Sequence, residues 1–292
     1  MKLAIIGCGE VGRLYAEAAA AEFELVLCDA YPSPAAKELA GRLGVELKDA
    51  IGPWLGEVDR VWACVTGDVA VSVAEQAGAH LSPGAVYVDL STANSADKRS
   101  AAAHLKGLGI GYADVAIMGA VGLTGVRTNL LAAGEQAQVA LEDFTVLGAP
   151  ARALADAQPG DAIALKLLRT VLTKGLEALG VEALIAAERQ GVREELYQVL
   201  SDIDTEGFTS FLNAVVRTHV VHAERRFHEV DRAIAALDEA GLPSSVLAGT
   251  RERYQQTVQA RTTHTPDPAV AETIDSAVTW LLETSSTTSV HP

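Results

Sequence analysis

Little in this chain argues for a metal centre, a membrane or a nucleic acid. Its 292 residues include three cysteines, two methionines and only 5% aromatics. Cys8, Cys28 and Cys64 fall in or beside predicted strands and share no metal-ligand spacing, so no metal site is expected. Three thiols make no disulfide framework, and a reducing, cytoplasmic setting is the compartment this usage predicts. Positive charge is also short: 23 Lys and Arg stand against 38 Asp and Glu, a net charge of −15. A basic stripe that releases phosphate counterions does not survive that balance, so no nucleic-acid partner is expected. No apolar run reaches the ~18 residues that read as a membrane-crossing helix. The opening MKLAIIGCGE has the short apolar run of a strand rather than the layout of a signal peptide, so no membrane contact is expected. Apolar residues are plentiful at 49%, which excludes a disordered chain. Over this length they suffice for two ordinary cores.

The first half alternates strands and helices. Lys2–Gly7 reads as a buried strand and runs into Gly7-Cys8-Gly9-Glu10-Val11-Gly12, with a helical run at Leu14–Ala21 behind it. This is G-x-G-x-x-G between a strand and a helix. Gly7 permits the tight turn, Gly9 lets a pyrophosphate approach the backbone, and Gly12 lets helix and strand pack closely. The helix N-terminus offers its N–H groups to the phosphates. The next strand, Glu24–Asp29, ends in an acid placed to bond the adenosine ribose and repel a 2′-phosphate. The cofactor expected is therefore NAD or NADP, with Asp29 favouring NAD. Strands at Val58–Thr66, Ala85–Ser91 and Ile110–Met118 follow, with helices at Val69–His80 and Ala96–Leu108 between them. Asn129–Gly134, a helix near Glu135–Leu141 and a strand near Arg152–Asp156 complete the half. That alternation predicts a doubly wound parallel α/β sheet of the Rossmann type over residues 1–159. Ligands of such sheets bind beyond the carboxyl ends of the strands, where Thr66, Ser91, Thr92 and the glycine-spaced loop after Met118 fall.

Pro159-Gly160 breaks the chain, and a long helix from about Asp161 to Gln190 follows. Lys166, Arg169, Thr170, Thr173 and Lys174 lie at i, i+3, i+4, i+7 and i+8, on one face. The remaining faces are apolar, so the helix is expected to be buried on all but this stripe. Desolvating a charge is expensive, so the stripe must face water, acids or a cavity that holds an anion. The cavity is the expectation, and with it a small anionic substrate. Residues 160–292 read as all helical: Glu194–Leu200, one or two helices over Thr205–Leu237, one from Pro243 to about Val258, one over Pro268–Leu282, and a polar frayed tail from Thr284. Arg217, His222 and Arg226 are roughly aligned, and they make either a solvated basic face or a closure of the pocket over an anionic substrate.

Four pieces in order give a resemblance that spans nearly the whole chain. They are Gly7–Gly12, then Asp89-Leu-Ser91-Thr92, then Asp114-Val-Ala-Ile-Met118-Gly119-Ala120, then Gly160 followed by Lys166. The chain resembles the β-hydroxyacid dehydrogenase superfamily, the relatives of 6-phosphogluconate and 3-hydroxyisobutyrate dehydrogenases. Within it, the second half is similar to an uncharacterised oxidoreductase branch with its own helical domain. The resemblance implies that Ser91, Thr92, Met118 and Gly119 line the substrate carboxylate site. Met118 stands where the family carries serine, Ala116 where it carries proline and Ala120 where it carries glycine. It implies Lys166 as the catalytic lysine, with Thr170 in place of a companion asparagine and Arg169 and Lys174 as additions of the branch. It also implies a homodimer through the helical domain. A lysine at a substrate hydroxyl is a general base for oxidation and a general acid for reduction. The expected function is hydride transfer between a nicotinamide and a small hydroxy or carbonyl acid. The alternatives are imine or ketone reduction on the same fold, and a nicotinamide-binding regulator or subunit without turnover.

Overall fold

The computed structural model describes residues 1–205 and 207–285. They form two compact units, and the chain passes from the first to the second between Val171 and Leu172. That point lies inside the long helix, whereas the Pro159-Gly160 break marks the helix start.

The first unit opens with β1 (Lys2–Ile6), α1 (Glu10–Ala19), β2 (Glu24–Cys28), α2 (Pro34–Leu43) and β3 (Glu46–Lys48). It continues with β4 (Arg60–Ala63), α3 (Ala70–Gly78), β5 (Val86–Asp89), α4 (Ser95–Gly107), β6 (Gly111–Ile117) and the single turn α5 (Val121–Thr124). β7 (Leu130–Ala133), α6 (Ala137–Thr145), β8 (Ala151–Ala153) and the start of α7 (Asp161–Gln190) follow. The eight strands make one sheet in the order β3-β2-β1-β4-β5-β6-β7-β8. All neighbours are parallel except β6 and β7, which pair antiparallel. The doubly wound α/β sheet expected from the alternation is therefore present, with its last two strands, β7 and β8, reversed relative to the other six.

Local chemistry explains the elements. Successive strand residues point to opposite faces. Leu3 and Ile5 join Tyr15, Trp62 and Phe144 in one core layer. Ala4 and Ile6 join Val61, Tyr87 and Leu105 in the other. Trp62 stacks on Phe144 at 4.5 Å between ring centroids. The Ser33 side chain accepts from the Ala36 N–H at the start of α2, and Asn94 does the same for Asp97 at the start of α4. Two boundaries at the carboxyl edge of the sheet differ from expectation. β4 stops at Ala63, so Cys64–Thr66 lie beyond the ladder, and α1 begins directly after Gly9 rather than at Leu14.

The second unit holds the rest of α7 and then α8 (Arg193–Val199), α9 (Ser201–Asp204), α10 (Phe208–Arg217), α11 (His219–Glu239), α12 (Ser245–Thr263) and α13 (Ile274–Thr284). α11 packs along α12, and α10 along α13. The run Thr205–Leu237 breaks at Thr218, and the last predicted helix begins as a 3₁₀ turn, Pro268–Ala271. The expected tail lies outside the described residues from position 286 on. No helix among the described residues is long and apolar enough to cross a membrane.

The helix α7 spans the predicted residues, but its burial does not follow the expectation. Ala162 and Ile163 are buried in the first turn, while Leu165, Leu167, Leu168, Val171 and Leu176 are exposed. Its apolar faces carry more surface than one copy of the chain covers.

Candidate functional site

The site is built at the carboxyl edge of the sheet, beginning with the glycine loop between β1 and α1. β1 lies between β2 and β4, so the chain order switches at this point and leaves a crevice. Gly7 has φ of +92°. A Cβ on Gly12 would lie 1.8 Å from the Gly7 carbonyl oxygen, so only glycine fits there. Around Gly9 a Cβ would meet nothing within 4 Å, which leaves the open approach a pyrophosphate needs. α1 has no side-chain cap, so the N–H groups of its first turn, at Glu10 and Val11, are unclaimed by its own N-cap. These features fit a dinucleotide. The Cys8 N–H is differently employed: it donates to Asp29 Oδ2 at 2.7 Å, and the Tyr31 N–H donates to Asp29 Oδ1 at 2.8 Å. Asp29 thus ties the end of β2 to the glycine loop. Burial pushes the Cys8 thiol up to about 12, with the Asp29 charge adding to the effect, so the side chain stays a neutral thiol. Thr66 is exposed beyond β4, where its hydroxyl bonds Asp68 and lowers that carboxyl's proton affinity.

The ends of β5 and β6 form the second part. Asp89 and Asp114 face each other in the parallel register, and both are buried. Asp89 Oδ1 accepts from the Ser91 N–H at 2.8 Å, and Ser91 Oγ accepts from the Ala93 N–H at 3.3 Å. Ser91 is therefore buried and occupied in shaping the turn, while Thr92 is exposed. Met118 is half-buried, its N–H donating to the Asn129 carbonyl at 2.8 Å, and Gly119 is exposed.

The third part is the first turn of α7. Asp114 Oδ2 accepts from the Gly160 N–H at 3.0 Å and the Ile163 N–H at 3.1 Å. A carboxylate from β6 thereby takes two of the orphan donors of the helix and pins its start to the sheet. Lys166 follows one turn later and is half-buried. Burial lowers its proton affinity below the ordinary lysine value. The Lys98 charge lowers it further, and Asp114 opposes both.

Lys98 is the residue that sequence reasoning missed. It is completely buried on α4, in line with the buried Ala101 and Leu105. Its ammonium lies 2.8 Å from Asp114 Oδ1 and 3.4 Å from Asp89 Oδ1, and it donates to the Asp89 carbonyl at 2.9 Å. Tyr112 donates its hydroxyl to Asp89 Oδ2 at 2.6 Å. The legible signal was a lysine on the apolar stripe of a helix, nine residues after a strand-end acid.

The other expected site residues have the following local surroundings. The Thr170 hydroxyl donates to the Lys166 carbonyl at 2.9 Å, as a threonine in mid-helix commonly does, so it is committed to its own backbone. Arg169 is exposed. Lys174 is exposed and pairs with Glu177 at 2.5 Å. In the helical unit, Arg217 ends α10 while His222 and Arg226 belong to α11, so the turn at Thr218 breaks the expected alignment. Arg217 donates to the Ala271 carbonyl at 2.7 Å, and Arg226 to Thr218 Oγ1 at 2.9 Å. His222 is half-buried. Its neighbour His219 bonds Thr257 at 2.9 Å. Burial, then Arg253 and Arg226, push the His219 imidazole down to about 4, so it adds no positive charge near neutrality.

Comparison with known proteins agrees with this geometry. Residues 187–257 match a domain of unknown function (DUF1932). A conserved hypothetical protein from Sinorhizobium meliloti 1021 is 28% identical, with 97% of this chain and 96% of that one covered and a TM-score of 0.57. A conserved protein of unknown function, described as structurally similar to 3-hydroxyacid dehydrogenases, is 27% identical over 89% of this chain and 98% of its own, with a TM-score of 0.61. An imine reductase variant from Myxococcus stipitatus, in complex with NAD+, shares the fold at 19% identity, covering 89% of this chain and 94% of that one with a TM-score of 0.74. Residues 2–150 match the family model of the NAD binding domain of 6-phosphogluconate dehydrogenase. With its glycine loop, strand-end acid and uncapped first helix, the chain belongs to the 6-phosphogluconate dehydrogenase family of NAD-binding proteins.

Proposed function

We propose that this protein is an NAD(P)-dependent oxidoreductase of small hydroxy or carbonyl acids, with Lys166 as general acid/base. The observation that carries the reading is the placement of Lys166. It is half-buried, its proton affinity is lowered by burial and by Lys98, and it stands one turn beyond a helix start pinned to the strand-end acid Asp114. The bound nicotinamide supplies the hydride acceptor or donor. The residues of the chain do the rest. The N–H groups of the first turn of α1 would hold the phosphates, and Asp29 holds the loop that presents them. The Lys166 amine takes the hydroxyl proton in oxidation and returns it in reduction. Its lowered proton affinity brings free base and ammonium closer to balance near neutrality, and oxidation starts from the first while reduction starts from the second. Thr92 and Gly119, exposed at the ends of β5 and β6, are the polar and backbone groups we assign to an anionic substrate.

The test is nicotinamide absorbance with NADH and NADPH separately, against a panel of carbonyl acids that includes phosphorylated ones. Lys166→Ala is expected to lose about two orders of magnitude or more in turnover while keeping cofactor binding. Turnover that survives the substitution refutes the lysine assignment.

A second reading keeps the fold and changes the bond reduced. Met118 stands where the resemblance implies a serine, and the Thr170 hydroxyl is tied to the Lys166 carbonyl. Both remove polar groups from a carboxylate site and favour an uncharged imine or ketone. Amine formation from a carbonyl and ammonia distinguishes it, and firm cofactor binding without any turnover would support a regulatory role instead. We further assign a homodimer built on α7, because its exposed leucines and valine have no covering partner among the described residues.

A further inference from the structure

Two carboxylates on neighbouring strands in a dry interior repel each other, and one of them takes up a proton unless a cation stands between them. Asp89 and Asp114 are such a pair, and the Lys98 ammonium stands between them. That ammonium donates to the Asp89 carbonyl and makes ion contacts with Asp114 Oδ1 at 2.8 Å and Asp89 Oδ1 at 3.4 Å. Each carboxylate then uses its remaining capacity on the backbone. Asp89 holds the Ser91 N–H, and Asp114 holds the N–H groups of Gly160 and Ile163. One buried ammonium therefore underlies two parts of the site that are far apart in sequence.

We propose that Lys98 is a positioning residue: by bridging Asp89 and Asp114, it fixes the Ser91-Thr92 turn and the first turn of α7, and with them the place and electrostatic surroundings of Lys166. This rests on the reading of Lys166 as the acid/base, and the test below separates the two. The charged groups whose field reaches Lys166 are Lys98 from α4 and Asp114 from β6, and they act in opposite directions. Behind them stand Asp89 on β5 and the Tyr112 hydroxyl on β6. Neutralising Lys98 removes a repulsion and leaves acids uncompensated, so the Lys166 ammonium is favoured. Neutralising Asp114 has the reverse effect.

The experiment uses the full-length protein without substrate. Reductive methylation of Lys166 is followed by mass spectrometry as a function of pH, in wild type, Lys98→Met, Lys98→Arg and Asp114→Asn, each checked for folding by circular dichroism. Lys98→Met is expected to raise the labelling midpoint by about one pH unit, and Asp114→Asn to lower it by a similar amount. Lys98→Arg, which keeps the charge, is expected to stay near wild type. If Lys98→Met does not fold, Lys98→Gln keeps the volume and donors without the charge and gives the same comparison. Midpoints that do not move in the charge-removing variants, or that move in one direction for both, overturn the proposal. Because labelling needs no substrate, turnover that survives Lys166→Ala sinks only the acid/base reading.

Discussion

Asp29 carries two duties that its position alone did not separate. Read in sequence, it is the acid at the end of the second strand, facing a ribose. In the structure both of its oxygens accept backbone N–H groups, from Cys8 and Tyr31. Each oxygen keeps a second lone pair, so the clamp leaves room for the proposed ribose contact. Asp29→Asn removes the charge that repels a 2′-phosphate and replaces one acceptor by a donor facing an N–H. The preference for NADH over NADPH is expected to fall about tenfold, with NADH itself bound more weakly. Fluorescence titration of the two dinucleotides measures this, and an unchanged ratio would refute it. At this scale the glycines were legible because the backbone demands them: no Cβ fits at Gly12. Lys98 was not, because its partners are a strand-end acid nine residues back and another sixteen residues on, and no local pattern links them. Thr170 was assigned to the pocket from its face of the helix, but a hydroxyl one turn from its own i−4 carbonyl had a nearer acceptor.

α7 was legible as an element and not as a surface. Its start at Gly160 and its length follow from the break at Pro159-Gly160 and the unbroken run of helix formers behind it. Periodicity says which faces are apolar, yet it does not say what covers them. Leu168 is 65% exposed and Val171 74%. This apolar surface is what the proposed pairing of two copies would cover. In a symmetric pair each such helix is covered by the other copy. Leu168→Glu combined with Val171→Glu is expected to give a monomer, read by sedimentation velocity at micromolar concentration. A dimer that persists with both charges in place would remove α7 from the interface. In the helical unit, the break at Thr218 escaped the sequence because no glycine or proline marks it. The Thr218 hydroxyl donates to the Ala214 carbonyl at 2.9 Å and accepts from Arg226.

The whole molecule carries a net charge of −15, and the proposed ligands are anions. Long-range repulsion then slows their approach, while the local helix end and Lys166 attract them only at short range. Screening weakens the long-range part first. The association rate of NADH is expected to rise about twofold or more between ~0.01 M and ~0.15 M salt, measured by stopped-flow fluorescence. A rate that falls instead would mean that the local positive field already dominates at a distance. The order of strands and helices in the first unit was readable because each layer of a doubly wound sheet has its own sequence period. Which chain passes over which end of the sheet was not readable, and the antiparallel β7 is the visible result.

The trio of Lys98, Asp89 and Asp114 also constrains the history open to this chain. A lone loss of the lysine strands two buried acids, and a lone loss of either acid strands helix or turn N–H groups that it now satisfies. The cheap evolutionary moves are therefore compound ones, in which lysine and acid disappear in the same lineage. Descendants of this fold should carry the three residues as a single inherited character, even where the substrate has changed.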